Sequence, residues 1–204
     1  LTTVFSKAIT GLYTFPQKIL YQPSKFISQA VADVFFNKAS ELNNRNRNMG
    51  ELTFSTFKNL YILGIIPYTI IILWGPELFS FVFSSEWEGS GKIAAYLSPW
   101  MFLVFVGSPI SGIFLVSKKL RLSFILNLIL LAARLGSLLI GALWFKDAEI
   151  TIILFSGVSV LYWIASILYS LRFSSISIRK ALLFSFAVTA VALGLLLPLK
   201  ILIG

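Results

Sequence analysis

The chain has 204 residues, 57% of them hydrophobic and 12% charged, with a mean hydropathy of +0.88. A water-soluble domain carries about a quarter charged residues, so this composition fits lipid rather than water as the solvent. The formal net charge of +9 sits in short clusters between apolar runs, a pattern of membrane topology that excludes nucleic acid as the expected partner. With no Cys and no His, thiolate nucleophiles, imidazole bases and the usual zinc and haem ligands are absent; neither cofactor nor metal is expected.

In chain order, the sequence starts at Leu1 without an initiator Met or a recognisable signal peptide, and residues 1–11 read as a running helix or its connecting loop. The expectation is a piece of a longer reading frame. Leu12–Lys38 is a long first segment that contains Pro16, Pro23 and internal charges. Five apolar segments follow, Phe57–Trp74, Ile93–Val116, Leu122–Trp144, Ile150–Leu171 and Ala181–Ile203, each near the ~20 residues a bilayer core requires. Gly75–Pro76 should end or kink the helix after Trp74, leaving ELFSFVFSSEW along the outer interface. The polar stretch ELNNRNRNMG at 41–50 reads as a solvated connection. The predicted fold class is an all-α integral membrane bundle of about six transmembrane helices, with 1–204 as a single membrane domain.

The loops predict orientation. Lys38, Arg45, Arg47 and Lys58 outweigh Glu41 and Glu51 around the first; Lys118, Lys119 and Arg121 form the third, and Arg172, Arg179 and Lys180 the fifth. The second and fourth carry Glu77, Glu86, Glu88, Asp147 and Glu149 against Lys92 and Lys146. Basic loops face the cytoplasm, so loops one, three and five belong there. Trp74, Trp87, Trp100 and Trp144 fall near the outer ends, where an aromatic belt would hold them, whereas Trp163 is expected to pack against another helix.

Two sets of polar residues lie where apolar ones are expected. Lys18, Gln22, Lys25, Gln29, Asp33 and Asn37 recur every three or four residues and form one stripe on a helix, with Ile19, Phe26, Ile27, Val31, Val34 and Phe35 off it. Such a stripe suits either an interfacial helix in headgroups or a spanning helix that lines a water-filled cavity; two prolines favour the second. Arg134 lies midway along its segment, ~15 Å from either interface. There it either bonds backbone carbonyls of a neighbouring helix or faces the same cavity. Beside it, Ala133, Ser137 and Gly141 make a small-residue row that would admit a close helix. No phosphate-binding GxxxxGK[ST] loop is present, and Glu86 and Glu88 read as solvated acids rather than a glycosidase pair, so no enzyme is expected.

Residues 15–41, FPQKILYQPSKFISQAVADVFFNKASE, and 78–135 carry a resemblance. Their order is a Pro-containing helix ending in Val34-Phe35-Phe36, then Phe83-x-x-x-Trp87, Leu97-x-Pro99-Trp100, Ser108-Pro109-Ile110-Ser111, a short basic loop, and a helix with an internal Arg. In that order the chain resembles the C-terminal half of the O-antigen and polysaccharide flippases of the multidrug/oligosaccharidyl-lipid/polysaccharide exporter superfamily. The matching stretches cover well under half of the chain.

The resemblance implies two pseudo-symmetric lobes around a central cavity, with this chain as most of the C-terminal lobe and the N-terminal lobe absent. The first segment would be the family's eighth helix and the last its thirteenth, one too many for a twelve-helix member, which implies a fourteen-helix version or a terminus placed differently. The implied activity is flipping an undecaprenyl-pyrophosphate-linked glycan across the bacterial cytoplasmic (inner) membrane during lipopolysaccharide O-antigen or capsule biosynthesis. Lys18, Gln22, Lys25, Gln29 and Arg134 would meet the substrate, and Asp33 would couple an ion or proton or else pair with a nearby base. The alternatives are a drug or metabolite antiporter of the same superfamily, which would need an acidic cavity, and a membrane-embedded polysaccharide polymerase, which would need large outer loops.

Overall fold

The computed structural model describes residues 7–203, with side chains over 13–202; the first six residues, for which a running helix or loop was expected, lie outside the described residues. Among the described residues seven α-helices follow one another: α1 Lys7–Asn44, α2 Gly50–Phe83, α3 Glu88–Ile110, the short α4 Ile113–Val116, α5 Leu120–Leu139, α6 Ala148–Phe173 and α7 Ile178–Ile203. A 3₁₀ turn, Ser85–Trp87, leads into α3, and a π-helical turn, Ile140–Phe145, extends α5. There is no strand among the described residues. The fold is an all-α multi-pass bundle.

Among the described residues five spans are long and apolar enough to cross a membrane: Gly50–Phe83, Ser85–Val116, Leu120–Phe145, Ala148–Phe173 and Ile178–Leu202. All seven prolines sit inside helices, which water-soluble helices resist because each removes a backbone bond and membrane bundles tolerate. Large apolar side chains point outward, among them Phe124 at 69%, Phe186 at 76% and Trp144 at 84% exposure. That surface suits hydrocarbon and would aggregate in water.

α1 is not among the five spans, yet it runs the length of the bundle. Phe15 packs 4.1 Å from Trp87 between ring centroids at one end. Ser28 Oγ donates to the Phe105 carbonyl mid-way, at 3.2 Å. Asn43 Nδ2 donates to the Val116 carbonyl at the other end, at 3.3 Å. A helix lying in the interface would cross an end of the bundle instead.

The loops segregate as their charges predict. The Thr53 and Ser174 hydroxyls bond at 2.8 Å, and Lys119 lies 6.0 Å above the Phe173 ring, so connections one, three and five share a basic end. Lys92–Glu149 and Lys200–Glu77, each 2.9 Å, join the opposite, acidic end. At the basic end, α1, α4 and α6 all finish alike. Arg47, Lys119 and Ile176 N–H return to the Leu42, Phe114 and Leu171 carbonyls, with Asn46, Lys118 and Ser175 at positive φ. That is the Schellman geometry, in which glycine is the easiest occupant of the left-handed position. α6 starts on Asp147, whose carboxylate accepts from Ile150 N–H at 2.9 Å and so satisfies one of the free donors of the first turn.

The core lies between α2 and α3. Tyr61 meets Phe102 edge-on at 4.9 Å, and a Cβ on Gly75 would stand 2.5 Å from the Gly91 carbonyl, so the two backbones touch there. At Trp74 the backbone leaves helical geometry (φ −123°, ψ 20°) and α2 bends, then continues to Phe83. The predicted kink is therefore present without ending the helix. Two expectations are corrected. Trp100 is buried, at 8% exposure, inside the bundle and not in an outer belt, because its ring serves a neighbouring cation. The 41–50 stretch is only half connection: α1 runs to Asn44 and α2 begins at Gly50, so the solvated link is residues 45–49, exposed up to Asn48, with Met49 and Gly50 buried.

Candidate functional site

A cavity of about 750 Å³ opens between α1, α2, α3, α5 and α6. On α3 and α4 its lining runs from Trp100 to Phe114, on α5 from Ser123 to Arg134, and on α6 from Phe155 to Ser166. It thus reaches from mid-bundle toward the basic end.

α1 supplies the most polar wall. Lys25, Gln29 and Asp33 of the predicted stripe line the cavity, whereas Lys18 and Gln22 are exposed and outside its lining. The middle of the wall is Gln17, Tyr21, Ser24 and Ser28, spaced four, three and four residues, with the longer polar side chains on its edge. Sequence reasoning missed this row because Tyr and Ser were not scored as polar, although the spacing was there to be read. The Ser24 hydroxyl both donates to the Leu20 carbonyl and shares a 2.7 Å bond with Tyr68 OH of α2. Lys25 Nζ lies 5.8 Å from the Tyr21 ring centroid. Asp33 belongs to none of the ion pairs among the described residues.

Arg134 forms the opposite wall. Its guanidinium carbon lies 4.8 Å from the ring centroids of both Trp100 and Phe155, within reach of the negative ring faces. Nε donates to Ser159 Oγ at 2.9 Å, and that hydroxyl in turn donates a hydrogen bond to the Phe155 carbonyl at 2.7 Å. The partners are therefore a hydroxyl and two rings, not the backbone carbonyls of a neighbouring helix. No carboxylate stands within ion-pair distance of Arg134 among the described residues. A half-buried cation held this way keeps its terminal N–H groups for an anion that accepts two parallel hydrogen bonds, such as carboxylate or phosphate.

The remaining wall is aromatic and hydroxylated. Trp100 Nε1 is buried with no hydrogen-bond partner among the described residues. Tyr162 OH donates to Asn127 Oδ1 at 3.1 Å, tying α6 to α5 across the rim. Trp163 packs as expected, since a Cβ on Gly107 would come 2.7 Å from its ring. The small-residue row also faces a helix: Ser137 and Gly141 are buried, and Gly141 abuts Thr151 of α6.

The class of protein that this fold and site define is a multi-pass α-helical membrane protein with a polar cavity between its helices. No protein-family model, curated protein or solved structure matches the chain.

Proposed function

We propose that the chain is the transporting C-terminal lobe of a flippase that moves lipid-linked oligosaccharide units across the bacterial cytoplasmic membrane for surface polysaccharide synthesis. The observation that carries this reading is Arg134, placed in a cavity inside an apolar bundle with aromatic and hydroxyl support and no carboxylate within ion-pair distance among the described residues. An intramembrane cation without a counter-charge fits a pathway for an anionic group. Lys25 adds a second cation to the lining against the single carboxylate of Asp33, the balance expected for a pyrophosphate and the reverse of that for a cationic drug. Hydroxyl, amide and aromatic groups beside the cations suit sugar, whose rings stack on aromatic faces and whose hydroxyls exchange hydrogen bonds.

The test is binding by the full-length protein purified in detergent. Undecaprenyl-pyrophosphate-linked oligosaccharide should bind, compete with undecaprenyl pyrophosphate, and weaken at least tenfold in Arg134→Ala. Preference for lipophilic cations, with no binding of the pyrophosphate lipid, would replace this reading with that of a cation antiporter.

A further inference from the structure

The face of α2 that meets α7 carries a second feature, which shares no residue with the cavity. Lys58 of α2 and Lys180 of α7 both approach the Phe54 ring, with Nζ at 5.6 Å and 4.7 Å from its centroid. Two ammonium groups are thereby gathered at the basic end of the bundle, no further apart than those two distances allow together. Neither belongs to an ion pair among the described residues. Like charges repel, so this convergence is stable only where something anionic lies nearby or the site is well solvated.

One helical turn deeper, the same two helices part into a groove of about 360 Å³. Its walls are Ile62, Ile65 and Ile66 on α2 and Ala187, Val191 and Leu195 among the residues of α7. No charged or hydrogen-bonding side chain lines it. From Ala187 to Leu195 the groove runs ~12 Å along α7, close to the depth of one leaflet of a ~30 Å hydrocarbon core. Phe184 separates the two parts, packed 6.2 Å from Phe54 and 5.9 Å from Tyr61, and Tyr61 OH bonds Thr189 at 2.7 Å. These contacts hold α7 against α2 on either side of Phe184 without filling the groove.

We propose that Lys58, Lys180 and the α2–α7 groove form a binding site for one anionic phospholipid of the leaflet at the basic end, its phosphate between the lysines and an acyl chain in the groove. The charge pattern selects the lipid. A headgroup with its own ammonium would bring a third cation to the pair, whereas a phosphodiester without one offsets half of its charge. Each lysine near a lipid phosphate favours binding by a factor of ~5, so two favour it by ~30-fold. This site makes no use of Arg134 and stands whether or not the cavity carries a lipid-linked glycan.

Native mass spectrometry of the full chain in detergent tests it, with phosphatidylglycerol and phosphatidylcholine of identical acyl chains as probes. The wild-type protein should retain phosphatidylglycerol in preference to phosphatidylcholine. The double variant Lys58→Gln, Lys180→Gln should lose that preference, with phosphatidylglycerol weakened ~30-fold. Ala187→Phe, which fills the groove and keeps both lysines, should weaken phosphatidylglycerol as well. Equal retention of the two lipids by the wild type overturns the proposal, and that comparison requires no variant to fold. Undiminished phosphatidylglycerol retention in the double variant overturns it too; undiminished retention in Ala187→Phe overturns the acyl-chain part.

Discussion

Replacing Arg134 separates its structural work from its chemical work. An Arg at mid-membrane costs about 2.5–3.5 kcal/mol on insertion scales. Against that cost stand one hydrogen bond from a charged donor to Ser159, worth about 1.5–3 kcal/mol, and two ring faces at 4.8 Å, each about 0.5–1 kcal/mol where partly solvated. Cost and offset balance to within ~1–2 kcal/mol, so Arg134→Ala should remove both together and accumulate in the membrane near the wild-type level. Arg134→Lys behaves differently. The charge and its cost stay, while the planar guanidinium and its Nε bond are lost, so Lys should be less stable than Ala by about 1–2 kcal/mol. Thermal aggregation of the detergent-solubilised protein, read beside membrane abundance, ranks the three. A Lys variant as stable as wild type together with an Ala variant lost from the membrane would refute the balance and make Arg134 a structural residue.

Cys placed at Ser24 or Gln29 should react with hydrophilic thiol reagents in this Cys-free chain, while Cys at the buried Phe35 or Ala39 should stay silent; the reverse pattern would close the cavity to water. A Cys at Asn46 should be shielded from an impermeant reagent in intact cells and one at Lys146 labelled, because basic loops face the cytoplasm. Gly75→Leu should abolish accumulation of folded protein, since its Cβ would meet the Gly91 carbonyl at 2.5 Å, whereas Gly194→Leu, with open space around it, should not. Ser175→Gly should raise thermal stability by about 1 kcal/mol, because Ser175 holds φ 63°, which costs a side-chain-bearing residue about that much.

Much of this architecture follows from patterns that act locally. Apolar runs long enough for a bilayer, loop charges and the Gly75–Pro76 pair report directly on spans, ends and the bend at Trp74, because each depends on few neighbours. Arg134 was legible as a charge out of place, and α5 does turn it into the cavity. What the sequence withheld depends on how helices rotate against one another. The wall of α1 is centred on Tyr21, Ser24 and Ser28, with Lys25, Gln29 and Asp33 at its edge, a phase fixed by Phe35 and Ala39 burying themselves in the bundle. Trp100 was expected in the outer aromatic belt, yet α3 is the most buried of the candidate spans and draws it inside. The partners of Arg134 lie on other helices, Ser159 and Phe155 on α6 and Trp100 on α3, and no spacing within α5 could have named them.

The most direct test of the account is where the lipid-linked glycan accumulates when the protein is missing. In cells depleted of the full-length protein, undecaprenyl-pyrophosphate-linked oligosaccharide should build up in the inner leaflet, out of reach of an impermeant glycosidase or lectin. Surface polysaccharide should fall with it. Wild-type protein should restore outer-leaflet exposure, and Arg134→Ala, present at normal abundance, should not. Normal outer-leaflet exposure of the glycan in depleted cells would contradict the account.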